Sequence, residues 1–315
     1  MAIPNSTSFQ LTQYELIRAT FHLLNITDID QNPENAEYVF AEKMLNMLIK
    51  HWQVSSKLWK RRQGVLILQK DQNIYEVASN GDDHVTDEIV LTTIGSTETF
   101  GQTTLTLSST SGMAINDHIG IELDDNTRQW TTITSIIDDT TVVISNALTD
   151  QATIGKTVIS YTNKIARPLG IIQARTFDLN NEQEIEIKLI PHDEYFAIPL
   201  KSSGILPTKL FYQEGYPLGL IYVWGTPNTV DHVIKFSYMA QISDATGSAD
   251  NFDFPPEWQL ALTYNLAVLI GEPYVSQEKF AKLEMKAAKF LAEIELSTCD
   301  DTRIQLMPNI EGYIR

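Results

Sequence analysis

The chain has 315 residues, 43% hydrophobic and 20% charged, the proportions of a globular protein long enough for two or three structural units. Its 40 acidic residues against 23 basic ones give a net charge of -17, which argues against a protein that wraps nucleic acid through phosphate contacts. The single cysteine, Cys299, excludes an internal disulfide and a multi-cysteine zinc site.

The opening residues MAIPNSTSFQ have neither a basic region nor an apolar centre, and nowhere do about 18 apolar residues run together, so neither an export signal nor a membrane span is expected. The first helix is signed by Thr12 as cap, Glu15 three residues on as in a capping box, and Leu11 with Leu16 as a hydrophobic staple. Leu16, Ile17, Phe21 and Leu24 then share one face. Asn32 and Pro33 open a second helix, on which Ala36, Phe40, Met44, Met47, Leu48 and Trp52 recur at helical spacing. These two elements are expected to form a helical hairpin.

From Gly64 the period changes to two, with VLILQ and IYEVA flanking the turn residues Asp71 to Asn73. Between Asp87 and Tyr161 the chain is rich in Thr, Ser, Ile and Val. The runs EIVLTT, TTLTLSS, HIGIEL, QWTTITSI, TVVIS and TVISYT are separated by turn formers, as in a self-contained antiparallel unit. A second β-rich section offers GIIQARTF, IEIKLI, KLFYQ, LIYVWG and HVIKFSYMA. Helix returns at DFPPEWQLALTYNLAVLIGEPY, where two prolines and Glu257 suit a helix start. Trp258, Ala261, Leu262, Asn265, Leu266 and Leu269 form one face before Gly271 and Pro273. A last helix follows Ser276, with Phe280, Leu283, Ala287, Leu291 and Ile294 as its stripe.

These patterns predict an α+β fold with a helical core built from both chain ends and a large inserted β-rich section. The expected division is a helical hairpin with first strands at 1–86, an inserted antiparallel β domain at 87–161 and a second β-rich section at 162–252. Helices completing the core follow at 253–298, and an extended tail at 299–315. In that tail Ile304, Leu306, Met307, Ile310, Tyr313 and Ile314 are too apolar for a solvated end, and Pro308 and Gly312 break any helix, so an assembly contact is expected there.

Motifs that carry chemistry are weak. TIGKT ends like a phosphate-binding loop, but the first required glycine falls at Asp150 and the residues after it look like a strand. From Asp28 the chain resembles half a calcium loop, with Pro33 where glycine is needed and Val39 in place of the bidentate carboxylate. The six histidines show no metal spacing, and no nucleophile elbow is present. The expectation is a non-enzymatic chain with no cofactor, catalytic residue or metal. A basic run, Lys57, Lys60, Arg61 and Arg62 around Trp59, is the one local exception to the acidic character and a candidate contact for an acidic partner surface or a DNA backbone, the alternative being a solvated face beside a buried tryptophan.

Seven segments, in order, carry a family resemblance: ELIRATFHLLNI at Glu15, AEKMLNMLIKHWQ at Ala41, LWKRRQG at Leu58, KIARPLGI at Lys164, EYFAIPLKSSGILPTKLFY at Glu194, LIYVWGTP at Leu220 and the proline-tryptophan helix at Asp253. Together the chain resembles the head-to-tail adaptors, or tail accessory factors, of P22-like short-tailed bacteriophages. The resemblance implies a virion structural protein at the neck, synthesised in the host cytoplasm and assembled as a dodecameric ring beneath the portal protein. It implies that the ring extends the DNA channel, passes double-stranded DNA without specific binding, docks tail nozzle, needle or fibre proteins, and touches no membrane. The β section at 87–161 departs from the smallest adaptors. The alternative is a β-rich tail-fibre or receptor-binding protein.

Overall fold

The computed structural model describes residues 9–28, 31–54, 60–201, 206–244, 252 and 255–297. The chain divides into two compact units, one formed by 1–58 with 242–315 and the other by 59–241.

In the first unit α1 spans Gln13–Leu24 and α2 Asn35–Val54, with α4 at Trp258–Gly271 and α5 at Gln277–Ser297. The capping box of α1 is present: Glu15 N donates to Thr12 Oγ1 at 3.3 Å, and Thr12 N to Glu15 Oε2 at 2.9 Å. Leu16, Ile17, Phe21 and Leu24 of α1 are buried as the spacing predicts. α4 carries apolar residues nearly all round, and α1, α2 and α5 pack against it. Gly271 is the close approach to α1, since a Cβ there would stand 2.6 Å from Leu24 Cδ2. Gln259 of α4 closes the entry to α1, accepting from Leu11 N at 2.9 Å and donating to Leu11 O at 3.3 Å.

Among its described residues the second unit is built of sheet, with one short helix. Its strands are β1 (Lys60–Ile67), β2 (Ile74–Val77), β3 (Val85–Thr86), β4 (Val90–Thr93), β5 (Thr104–Thr106), β6 (His118–Glu122) and β7 (Arg128–Ile136). They continue with β8 (Thr141–Ile144), β9 (Thr157–Tyr161), β10 (Gly170–Asp178), β11 (Glu184–Leu189), β12 (Lys209–Gln213), β13 (Gly219–Trp224) and β14 (His232–Ala240), with α3 at His192–Phe196 between β11 and β12. An eight-stranded sheet has the order β2-β13-β12-β11-β10-β14-β1-β3, and a six-stranded sheet β4-β9-β6-β7-β8-β5. All pairings are antiparallel except β11 with β12. Each sheet buries its own interior, Tyr75, Leu210, Val223 and Ile234 in the larger and Leu105, Ile119, Ile133 and Val158 in the smaller. A third cluster joins them, where Ile159 and Tyr161 of β9 meet Val65 and Ile67 of β1 and Val233 of β14.

This architecture corrects the expectation of an α+β fold organised by a helical core. Among the described residues strand accounts for 31% and helix for 26%, and the β unit is the larger of the two. The β section is no decoration on helices, because its strands bury their apolar alternation against one another. Strand β1 is paired along its whole length with β14, from Lys60 opposite Ala240 to Ile67 opposite Val233.

The face of α2 is a second correction. Ala41, Leu45, Ile49 and Trp52 are its buried stripe, whereas Phe40 and Met47, expected inside, are 48% and 62% exposed. The helix has two apolar stripes, and α4 takes the one that starts at the small Ala41.

Candidate partner-contact surfaces

Strand β1 opens with the basic run. Lys60, Arg61 and Arg62 occupy its exposed first half, opposite Ala240, Met239 and Tyr238 of β14, while Lys57 lies outside the described residues. Arg62 Nη1 donates to Asp87 Oδ2 at 3.0 Å, and Tyr238 Oη donates to Asp87 Oδ1 at 2.6 Å. Burial, followed by the hydrogen bond to Asp87, raises the Tyr238 phenol above its ordinary range, so the hydroxyl remains a donor. Nearby on β10, β11 and β14, Glu184 takes Arg175 at 3.2 Å and Lys235 at 3.3 Å. Lys235 also stands 3.3 Å over the Phe177 ring. The bonds from Lys235 and then Arg175 hold the Glu184 carboxyl below the usual range. A cleft of about 400 Å³ lies among these residues, with Gln63, Gln173 and Ser237 beside the ion pairs. Arg62 is therefore one member of a mixed-charge surface, matched by carboxylates of its own sheet.

The broken phosphate loop is a turn leading into a strand. Gly155 adopts φ of 90°, and Thr157 begins β9 rather than a helix. Lys156 Nζ donates to Glu122 Oε1 at 2.6 Å, and Thr157 Oγ1 to Glu122 Oε2 at 2.6 Å. Arg128 follows in the same chain, donating through Nη2 to Thr157 Oγ1 at 2.9 Å and to Val230 O at 2.9 Å. Burial raises the Glu122 carboxyl, but the bonds from Lys156 and Thr157 outweigh it and the net shift is downward. Lysine and threonine are thus committed to an internal carboxylate, which leaves no cradle for a phosphate.

Sequence reading missed the junction between the two sheets. His84 stacks on Trp130 with centroids 3.5 Å apart, and its Nδ1 lies 2.5 Å from Tyr161 Oη. His118 stacks on Tyr161 with centroids 5.0 Å apart and meets His84 edge-on at 6.1 Å. Burial, then the positive charges of Lys164, His118 and Arg128, pushes His84 down to about 3, so it is a neutral packing group at physiological pH and no base poised near neutrality. Among the described residues no three His, Cys, Asp or Glu side chains converge as metal ligands. The junction had no sequence signal, since its members come from three separated segments.

In the helical unit a groove of about 860 Å³ runs between α1 and α4, with Leu11, Leu23, Leu260 and Tyr264 as its main apolar walls and Asp28 at its rim. Leu260 is 51% exposed there. The tail residues Ile304, Leu306, Met307, Ile310, Tyr313 and Ile314 lie outside the described residues.

No family model matches the chain. No curated protein matches it either. Among solved structures it is similar to VP17, a capsid protein of bacteriophage P23-77, at 11% identity over 58% of this chain and 75% of that one, with a TM-score of 0.12. At that score the likeness carries no argument about fold or function.

Proposed function

We propose that the chain is a non-enzymatic virion structural protein, a head-to-tail adaptor that joins its portal as a ring and presents a platform to tail components. The observation that carries this reading is where the seven family-like segments fall. The first two supply Leu16, Ile17, Phe21, Leu24, Ala41, Leu45, Ile49 and Trp52 of the helical interior, and the last supplies Trp258, Ala261, Leu262, Leu266 and Ile270. Those at Lys164, Glu194 and Leu220 supply Ile165, Leu210, Ile221 and Val223 of the sheet interior. Six of the seven segments thus supply residues that build the two interiors, as expected for a shared scaffold, while LWKRRQG gives the exposed start of β1. The net charge of -17 supports a channel component that repels the phosphate backbone and lets DNA pass.

The test is to mix the purified chain with the portal encoded by the same genome and examine the product by electron microscopy. A twelve-fold ring on the portal is expected; a chain that never joins portal overturns the reading. The excess of strand over helix favours one competitor, a tail-fibre or receptor-binding protein. That competitor requires trimers that adsorb to host cells and ignore the portal. Removing residues 299–315 should leave the helices folded and abolish portal joining, because the tail is read as the assembly contact.

A further inference from the structure

The turn between β2 and β3 carries a pair of residues that occurs once in the chain, Asn80 followed by Gly81; no other asparagine precedes glycine. Asn80 is exposed, and among the described residues its carboxamide has no hydrogen-bond partner. Asn181 and Asn265, by contrast, are tied down, donating through Nδ2 to Asp178 Oδ2 and to Ala261 O, each at 2.8 Å. Gly81 N donates to Ala78 O at 3.1 Å, so one turn bond has to open to release it. The bonds that fix the turn follow the pair in the chain. Lys164 Nζ donates to Gly81 O at 2.7 Å and to Asp82 O at 3.1 Å, Asp82 N to Glu76 Oε2 at 3.1 Å, and Glu76 N to Asp83 Oδ2 at 2.6 Å.

We propose that Asn80 is a site of spontaneous deamidation and isoaspartate formation, with water as the only co-reactant. Gly81 N attacks Asn80 Cγ: the N–Cγ bond forms, the Cγ–Nδ2 bond breaks, and Nδ2 departs as ammonia with the proton from Gly81 N. Glycine permits this attack because no Cβ crowds its nitrogen. Water then opens the succinimide ring, and no electrons are gained or lost. Addition at Cγ leaves an aspartate on the original backbone. Addition at the Asn80 carbonyl carbon leaves an isoaspartate, with the backbone passing through Cβ and Cγ. Either product adds a carboxylate to a turn that already holds Glu76, Asp82 and Asp83. Isoaspartate also lengthens the main chain just before the carbonyl that Lys164 holds, so it acts on the link between this turn and the segment after β9. The proposal is independent of the adaptor reading.

Incubation of the full chain in mildly alkaline buffer, followed by peptide mapping with mass spectrometry, tests it. The peptide containing Asn80 should gain one mass unit ahead of every other asparagine and divide into aspartyl and isoaspartyl forms. Protein isoaspartyl methyltransferase should label the second form. Gly81→Ala should slow the conversion at least about tenfold, equivalent to about 1.4 kcal/mol on the barrier. Alanine is accommodated there, since its Cβ would stand 3.3 Å from Glu76 Cβ and 3.4 Å from Ala78 N and O, and Gly81 is not among the left-handed glycines. Equal rates in the parent and Gly81→Ala overturn the proposal. Conversion confined to chain unfolded in urea would show that the turn protects Asn80 and would overturn it too. Aged parent protein should melt below fresh protein, whereas Asn80→Ser should melt unchanged with age; an equal drop in both refutes the effect on the Lys164 link.

Discussion

Replacing Trp258 with alanine is expected to destabilise the helical unit by about 3 to 5 kcal/mol, the cost of removing a buried large aromatic whose space is not refilled. Trp258 is 3% exposed, begins α4, and lies against Trp52 of α2 with ring centroids 5.9 Å apart and planes at 58°. Such a tilted pair contributes about 0.5 to 1.5 kcal/mol beyond the area it buries. Collapse into the vacated space is restrained, because the next residue, Gln259, is bonded to both backbone groups of Leu11. The upper half of the range is therefore expected. Urea unfolding followed by far-ultraviolet circular dichroism measures the loss, and an unchanged slope with denaturant would show that the same cooperative transition is being read. Trp52→Ala and the double variant complete a cycle whose coupling should be about 0.5 to 1.5 kcal/mol. A loss below about 1 kcal/mol for Trp258→Ala would refute the burial argument, and zero coupling would refute the pairing.

Gly271→Ala should destabilise the same unit by about 1 to 3 kcal/mol through overpacking against Leu24, despite alanine's better helix propensity, and the same substitution should cost less when measured in a Leu24→Ala background. Glu122 gives an acid-limb prediction: its folded carboxyl titrates below its unfolded value, so its contribution is present above about pH 4.3 and is lost as the pH falls through the lower folded value. Melting temperature measured from about pH 6 down to about pH 3 should fall less steeply for Glu122→Gln than for the parent; parallel curves would remove Glu122 from the account. Purified chain should bind duplex DNA too weakly to detect by fluorescence anisotropy at physiological salt, given its charge of -17, and saturable binding would contradict the repulsive-channel argument.

Elements whose signal is local were legible in the sequence. The capping box at Thr12 and Glu15, the strand alternation of GLIYVW and the turn-separated strands between Val90 and Tyr161 all rest on neighbours within a few residues. Sheet order was not legible. β1 lies between β14 and β3, and its partner β14 comes from the far end of the β section, so only tertiary packing decides that placement. The short α3, with Pro191 at its cap, spans five residues, too few to show a helical period. The weight given to helices had a physical source: amphipathic helices advertise their buried face strongly, whereas a strand of four or five residues shows little of the interior it shares with distant partners. The junction of His84, His118, Trp130 and Tyr161 was hidden for that reason, whereas TIGKT was legible as no phosphate loop, because the residues after it already read as the strand that β9 is.

The choice of face on α2 follows from what α4 demands. Helix α4 is apolar nearly all round, so each neighbouring helix must cover a side of it with one stripe. On α2 the stripe of Ala41, Leu45, Ile49 and Trp52 places a small residue where the backbones approach and sets Trp52 against Trp258, a pairing the other stripe cannot make without turning Trp52 outward. Selection of that stripe leaves Phe40, Met47 and Val54 toward solvent, each forgoing part of the about 1.5 to 3 kcal/mol that full burial contributes. Singly exposed apolar residues need no explanation, but three aligned along one helix are a surface that gains by meeting another. The residues that periodicity alone wrongly assigned to the interior of the subunit are thus the ones best suited to lie inside an assembly.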